Sequence, residues 1–219
     1  MNTSYIIWNY LKGKGLSDYA VSGVMGNLYA ESGLKSDILQ VYYQQQFGMS
    51  SEEYTKAVNN GTYTNFVRDM AGYGLAQWTY WSRKEGLLNL AIKRMVSIGD
   101  LEMQLDYLWG ELQEFGLVRK LNNCNSVKEA SDIMLVDFEK PYDQGDAVKA
   151  QRAFYGQAYY NQYHFTDYPV QEEKPVTTPK NYYCVELGVF ENRSDAESKL
   201  VSAHAAGFKE AVLVTVHKD

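Results

Sequence analysis

The sequence predicts a mainly α-helical domain over residues 1–165, a proline-rich linker over 166–181 and a small βαβ module over 182–219. Three observations predict this organisation. In the first part, apolar residues recur at helical spacing after residues that commonly cap helices. Three of the four prolines fall in TDYPVQEEKPVTTPK, whose composition suits an extended linker. In the last part, β-rich stretches flank one helical stretch, DAESKLVSAHAA.

Capping residues and apolar spacing locate the individual helices. Ser82 with Glu85, and Ser126 with Glu129, have the spacing of capping boxes, and Asp100 is a potential N-cap. The stretch TYTNFVRD follows an Asn-Gly turn signal and is expected to form a short strand or an extended lip. The predicted helices cover residues 3–12, 17–33, 51–58, 82–95, 100–115, 126–138 and 146–160.

The second predicted helix, SDYAVSGVMGNLYAESG, is central to the functional prediction. Ser17 can cap its start, and Gly33 can adopt the left-handed conformation that ends it. Near its C-terminus, Glu31 falls within the arc of apolar residues. Burial and the negative end of the helix dipole both disfavour a charged carboxylate, so we expect Glu31 to keep a proton and act as a general acid. The alternative is an ordinary solvated glutamate at a helix end. The apolar residues of the arc are Ala20, Val21, Val24 and Leu28.

A second stretch, GYGLAQWTYW, combines a glycine-flanked turn with aromatic and amide side chains. Gln77, Trp78, Tyr80 and Trp81 would form a surface suited to stacking on sugar rings and to hydrogen bonding with N-acetyl groups. The alternative is an ordinary buried aromatic cluster.

Together, VMGNLYAESGL and AGYGLAQWTYWSRK resemble the paired motifs of the phage tail lysozyme family. This family is a branch of the lysozyme-like superfamily, with goose-type lysozymes and lytic transglycosylases. The resemblance covers residues 5–160. It implies a lysozyme-like α+β fold and cleavage of the β-1,4 linkage between N-acetylmuramic acid and N-acetylglucosamine in peptidoglycan. In the superfamily, the glutamate of an E-S motif is the catalytic acid and a later G-L-x-Q segment lines the glycan cleft, which assigns the acid to Glu31. The residues expected to bind substrate are Ser32, Tyr73, Gly74, Gln77 and Trp78.

Hydrolysis would require a second carboxylate across the scissile bond. It would lie about 5 Å from the acid as a nucleophile, or about 6.5 to 9.5 Å away as a base that activates water. Asp69, just before the glycine turn, is the expected partner, and Asp37 is the second choice. The alternative is a structural role, in which the carboxylate of Asp69 pairs with Arg68 or accepts a hydrogen bond from a backbone amide of the turn. Glu139, in FEKP, is interpreted as a salt-bridged helix boundary.

Two alternatives to a hydrolase stay open. A lytic transglycosylase uses a single glutamate, because a hydroxyl of the substrate closes on the anomeric carbon. A phage structural or wall-binding protein with an inactive lysozyme domain would need no acid at all.

Composition excludes several other classes of function. The net charge of −6 argues against a basic face that binds nucleic acid. Three histidines and two distant cysteines indicate neither a zinc site nor a disulfide framework, and no cofactor is expected. We expect neither a signal peptide nor a membrane span, because the first residues contain no basic segment followed by a long apolar run and no later stretch has the length of a span. With the family resemblance, we expect synthesis in a bacterial host from phage or prophage genes, followed by action on the wall after release or from the virion.

The C-terminal segment resembles one half of a sporulation-related (SPOR) repeat. The resemblance rests on YYCVELGVF, the helix start NRSDAE and the turn AAGF. Such repeats bind glycan strands of peptidoglycan, but the full module has two halves and only one is present. We therefore expect the half-repeat to bind the wall or to mediate self-association, and the alternative is a module that assists folding.

Overall fold

The computed structural model describes residues 2–164, together with Asn192, Ala196 and Lys199. The chain divides into two units, Met1–Tyr168 and Pro169–Asp219. Apart from those three residues, the predicted linker and the SPOR-like module lie outside the described residues.

Residues 2–164 form nine α-helices and one π-helix, so the mainly α-helical prediction is confirmed. The expected β part is absent from this range: isolated bridges join Leu39 to Tyr73 and Tyr73 to Trp78, and residues 62–69 form coil and turns. No helix of the described residues is long and apolar enough to cross a bilayer. The helices are α1 (Thr3–Gly13), α2 (Asp18–Ser32), α3 (Val41–Phe47), α4 (Ser51–Asn59), α5 (Trp81–Arg94), α6 (Leu101–Glu114), α7 (Leu117–Asn122), α8 (Val127–Ile133), the π-helix (Met134–Glu139) and α9 (Asp146–Tyr163).

The ends of α2 agree with the prediction. Ser17 accepts a hydrogen bond from the amide of Ala20, and Gly33 has a φ of 63°. Asp100 likewise caps α6 through the amide of Met103.

The two predicted capping boxes do not form. Helix α5 begins at Trp81, so Ser82 already lies inside it and no side chain caps this end. Ser126 does cap α8, but Glu129 accepts from the amide of Asn125 instead of reaching back to Ser126.

Helix α2 packs closely against α8 and α9 through glycines. A Cβ on Gly23 would lie 2.6 Å from the backbone of Ala130, and one on Gly26 would lie 2.4 Å from the carbonyl oxygen of Arg152. On the other side of this contact, a Cβ on Gly156 would lie 2.6 Å from the carbonyl oxygen of Ser22. The missing side chains let the helix backbones touch, and this fixes the end of α2 relative to α9.

Candidate active site

Glu31 lies in the last turn of α2, and its carboxylate forms an ion pair with Arg152 of α9. The Nη2 atom of Arg152 donates to Glu31 Oε1 at 2.5 Å. The side chain of Glu31 is about 20% exposed and that of Arg152 about 10%. The predicted apolar arc of α2 is completely buried, as expected. The ion pair with Arg152 was not predicted.

A buried amide holds Arg152 in place. The Nη1 atom of Arg152 donates to the Oδ1 and carbonyl oxygens of Asn27, at 3.3 and 3.4 Å. The Nδ2 of Asn27 donates to the carbonyl oxygens of Gly23 and Ser131 and to the hydroxyl of Ser131. Because its amide nitrogen is fully used, Asn27 presents its oxygen to the guanidinium. The arginine that meets Glu31 is therefore fixed by three helices.

Glu139, the last residue of the π-helix, belongs to the same charged cluster. Its Oε1 atom is buried and has no hydrogen-bond partner. Burial raises the pKa of Glu139 well above its usual value, and the charge of Glu31 raises it further, whereas Arg83 and Arg152 oppose this shift. The expected salt bridge at Glu139 does not form among residues 2–164, so this part of the sequence interpretation was wrong. Short π-helical segments are often found at functional sites.

Arg83, the second cation of the cluster, is held by Glu111 in a bidentate ion pair. Its Nε and Nη2 atoms donate to the two oxygens of Glu111 at 2.6 and 2.8 Å, and its guanidinium lies 4.5 Å from the ring centroid of Phe138. Glu111 also accepts from the indole nitrogen of Trp78 at 2.7 Å. Glu111 is thereby committed to Arg83 and Trp78.

The charge balance of this cluster follows from these contacts. Two arginines, Arg83 and Arg152, face three carboxyl groups, those of Glu31, Glu111 and Glu139. One carboxyl group is in excess, and a buried excess charge is costly. Because Glu139 lacks a hydrogen-bond partner at Oε1 and its pKa is raised, it is the carboxyl group of the three whose environment favours the neutral form.

Asp69 lies in a different environment, in a buried ion pair with Lys84. The two side chains are 1% and 0% exposed. Asp69 also accepts from the hydroxyls of Tyr54 and Tyr63, at 2.5 and 3.1 Å, and from the amide of Ala71 at 3.0 Å. Both of its oxygens are used, and neither faces solvent. Asp37, the second choice, lies in an exposed position.

The turn that contains the expected substrate-binding residues is largely internal. Tyr73 and Trp78 are fully buried, and Gly74, with a φ of 75°, faces the buried amide of Gln104, which a Cβ would approach to 2.6 Å. Gln77 donates to the carbonyl oxygen of Gly74 within the turn, at 3.0 Å, and to that of Ile38 at 3.3 Å. Ser32 is buried and donates to the carbonyl oxygen of Leu28. These contacts support the turn and leave no ring face of Tyr73 or Trp78 open to a sugar.

The next two aromatic residues of that stretch are open to solvent. Tyr80 and Trp81 are 63% and 44% exposed, and the guanidinium of Arg68 lies 5.7 Å from the ring centroid of Trp81. Of the aromatic surface expected from the sequence, these two rings are available for stacking on a sugar.

A groove of about 750 Å³ lies elsewhere, between the end of α4 and the end of α5. Ile92, Met95 and Ile98 are among its apolar lining residues, and no acidic side chain lines it. The groove therefore supplies no carboxyl group, in contrast to the cluster around Glu31.

Sequence reasoning missed Arg152 and set Glu139 aside. Arg152 carried no signal, because it lies within the predicted helix 146–160 and is separated from Glu31 by 121 residues. For Glu139 the sequence did contain a signal. It is an acidic residue that follows an apolar phenylalanine at the end of a predicted helix, and the same kind of pattern pointed to Glu31.

A family model described as Phage tail lysozyme matches residues 2–163. The match extends from α1 to the end of α9 and includes Glu31, Glu139 and Arg152.

Proposed function

The chain belongs to the phage tail lysozyme family, whose activity is lysis of peptidoglycan, and we propose that it cleaves the β-1,4 linkage between N-acetylmuramic acid and N-acetylglucosamine with Glu31 as the general acid. The observation that carries this proposal is the position of Glu31. It lies in the last turn of α2, its side chain is about 20% exposed, and a nearly buried arginine fixes its carboxyl group. Such a group can reach a bound glycan while its orientation is held by the fold.

In the proposed reaction, the proton of Glu31 passes to the glycosidic oxygen as the bond to the anomeric carbon breaks. The bonding electron pair leaves with that oxygen, and positive charge develops on the sugar ring. In hydrolysis, water adds its oxygen to the anomeric carbon and returns a proton to the site.

A lytic transglycosylase is the second candidate, and the environment of Asp69 favours it. Asp69 is enclosed by Lys84 and two tyrosines, so it is poorly placed to activate water at Glu31. Glu139 is the other candidate carboxylate, but burial and repulsion by Glu31 favour its neutral form. A reaction that uses one glutamate requires neither residue as a base.

The variant Glu31→Gln tests the assignment of the acid. Glutamine keeps the size of the side chain but cannot release a proton, so we expect clearing of purified cell walls to fall on the order of 100- to 10,000-fold. Glu85→Gln is a matched control, because it neutralises an exposed glutamate of α5. If Glu31→Gln is folded by circular dichroism and clears walls as fast as the parent, the catalytic proposal fails and a wall-binding role remains.

Analysis of the products tests the linkage and the type of reaction. A muramidase leaves reducing ends on N-acetylmuramic acid, and a glucosaminidase leaves them on N-acetylglucosamine. A lytic transglycosylase leaves anhydromuramic ends with no reducing group. Borohydride reduction of the digest followed by mass spectrometry distinguishes the three outcomes.

The phage origin of the family also supports a proposal about location. We propose that the protein is made in the bacterial cytoplasm and reaches the wall after release or as part of the virion. Mass spectrometry of purified virions tests the route. Presence of the protein would establish action as part of the virion, and its absence would establish action after release.

A further inference from the structure

The ion pair between Glu31 and Arg152 creates a conflict for acid catalysis. This inference rests on the proposed role of Glu31 as the acid. To donate a proton, Glu31 must first be neutral, but the side chain of Arg152 is only about 10% exposed and Glu31 is its carboxylate partner. A buried cation that loses its counter-ion is strongly destabilised. Protonation of Glu31 therefore needs another anion to take its place.

Among the described residues, the cluster contains one carboxyl group that is free to do so. Glu111 is bound by Arg83 and Trp78. Glu139, by contrast, has a buried Oε1 atom without a partner, and the charges of both arginines favour its ionised form.

We propose that Glu139 is a positioning residue that shares one proton with Glu31 and serves as the alternative counter-ion of Arg152. In the free enzyme, Glu139 holds the proton and Glu31 is paired with Arg152. In the reactive state, Glu31 holds the proton and Glu139 is ionised, with Arg152 as its cation.

The exchange moves one proton and leaves the net charge of the cluster unchanged. For this reason it avoids the cost of creating a new unpaired charge in the interior. When Glu31 gives the proton to the leaving oxygen, the two carboxyl groups of Glu31 and Glu139 together carry one additional negative charge. The nucleophilic hydroxyl, from water or from the substrate, loses its proton as it bonds to the anomeric carbon, and that proton restores the pair.

The sign of the pH effect follows from the same scheme. The charged groups that face Glu139 are Glu31 from α2, Arg83 from α5, Glu111 from α6 and Arg152 from α9. Glutamine at position 139 mimics the neutral carboxyl group but can never become the counter-ion. Arg152 then has no second counter-ion, so a proton enters the site only at lower pH.

The pH profile of Glu139→Gln is therefore the main test. At neutral pH we expect kcat to fall on the order of tenfold to a hundredfold, with KM little changed. We also expect the pH above which activity declines to move downward. Asp137→Asn is the control: Asp137 lies on the same π-helix, is paired with Lys120 on the surface, and its loss should leave the profile unchanged.

A measurement without substrate separates this inference from the proposed function. In protein with ¹³C-labelled glutamate, we expect a protonated side-chain carboxyl signal at neutral pH that Glu139→Gln removes and Asp137→Asn retains. If no such signal exists in the folded parent, or if an active Glu139→Gln has the parental pH profile, the inference is overturned. If the signal is present but the parent cleaves no peptidoglycan, the proposed function fails instead.

Discussion

At the scale of single residues, Glu31, Asp69 and Glu139 show how environment divides roles among carboxyl groups. Glu31 meets one arginine and remains partly exposed. Asp69 has a lysine and three further hydrogen-bond donors and is buried. Glu139 has a buried Oε1 atom that has no hydrogen-bond partner. A saturated buried carboxylate suits a structural role, whereas an unsatisfied one next to another acid suits proton exchange.

Lys84 and Asp69 allow a prediction about stability. Burial lowers the pKa of Lys84, and the ion pair with Asp69 only partly offsets this effect. The charged form of Lys84 therefore depends on Asp69. Lys84→Met removes the cation and leaves Asp69 buried, which we expect to lower the free energy of unfolding by about 3–5 kcal/mol. Lys93→Met, at an exposed position of the same helix, should change it by less than about 0.5 kcal/mol. Urea denaturation of both variants measures the difference.

Activity of Asp69→Asn then tests the role expected from the sequence. A structural role predicts a lower melting temperature, with kcat retained at temperatures where the variant is folded. A loss of kcat above about a hundredfold in folded protein would instead assign Asp69 to the reaction.

At the scale of helices, the sequence predicted what depends on local pattern. The longer helices with an apolar stripe were found, whereas the six-residue α7, which buries Leu117 and Leu121, was missed. The caps at Ser17 and Asp100 agree because capping is decided by neighbours in sequence. Helix α3 was missed, since it buries none of its residues and has no stripe. The Ser82 box failed because α5 begins one residue earlier than expected. The contact between Glu31 and Arg152 could not be predicted, because it depends on how α2 and α9 pack.

Two helical glycines, one at a close helix contact and one with open space around it, give opposite predictions for stability. A Cβ on Gly26 would lie 2.4 Å from the carbonyl oxygen of Arg152, so Gly26→Ala must push α9 away from α2. We expect it to cost about 1–3 kcal/mol and to reduce activity by displacing Arg152 from Glu31. Gly110 lies inside α6, and a Cβ there would meet nothing within 4 Å, so Gly110→Ala should stabilise the protein by about 0.5–1 kcal/mol. Thermal unfolding of both variants checks the opposite signs, and equal effects would contradict the packing argument.

At the scale of the whole molecule, the two ends of the helical unit are joined. The hydroxyls of Ser4 and Tyr163 lie 2.6 Å apart, and the ring of Trp8 packs at 5.2 Å from that of Tyr163. His164 forms an ion pair or hydrogen bond with Asp18 at 2.6 Å, depending on its protonation. Helix α9 therefore closes the unit back onto α1 and α2. The charged cluster is complete within it, because Glu31, Arg83, Glu111, Glu139 and Arg152 all lie between α2 and α9.

This closure predicts the effect of removing the C-terminal unit. A chain that ends at Tyr168 keeps the contacts of α1 with α9, so we expect its melting temperature to stay within a few degrees of that of the full protein. Its kcat on soluble glycan fragments should be unchanged, because the cluster is intact. If the SPOR-like half-repeat binds glycan strands, co-sedimentation with insoluble walls should fall while cleavage of soluble fragments is kept. Equal sedimentation of the two proteins would assign wall binding to the helical unit. Loss of the fold on truncation would contradict the claim that the helical unit folds without the C-terminal unit.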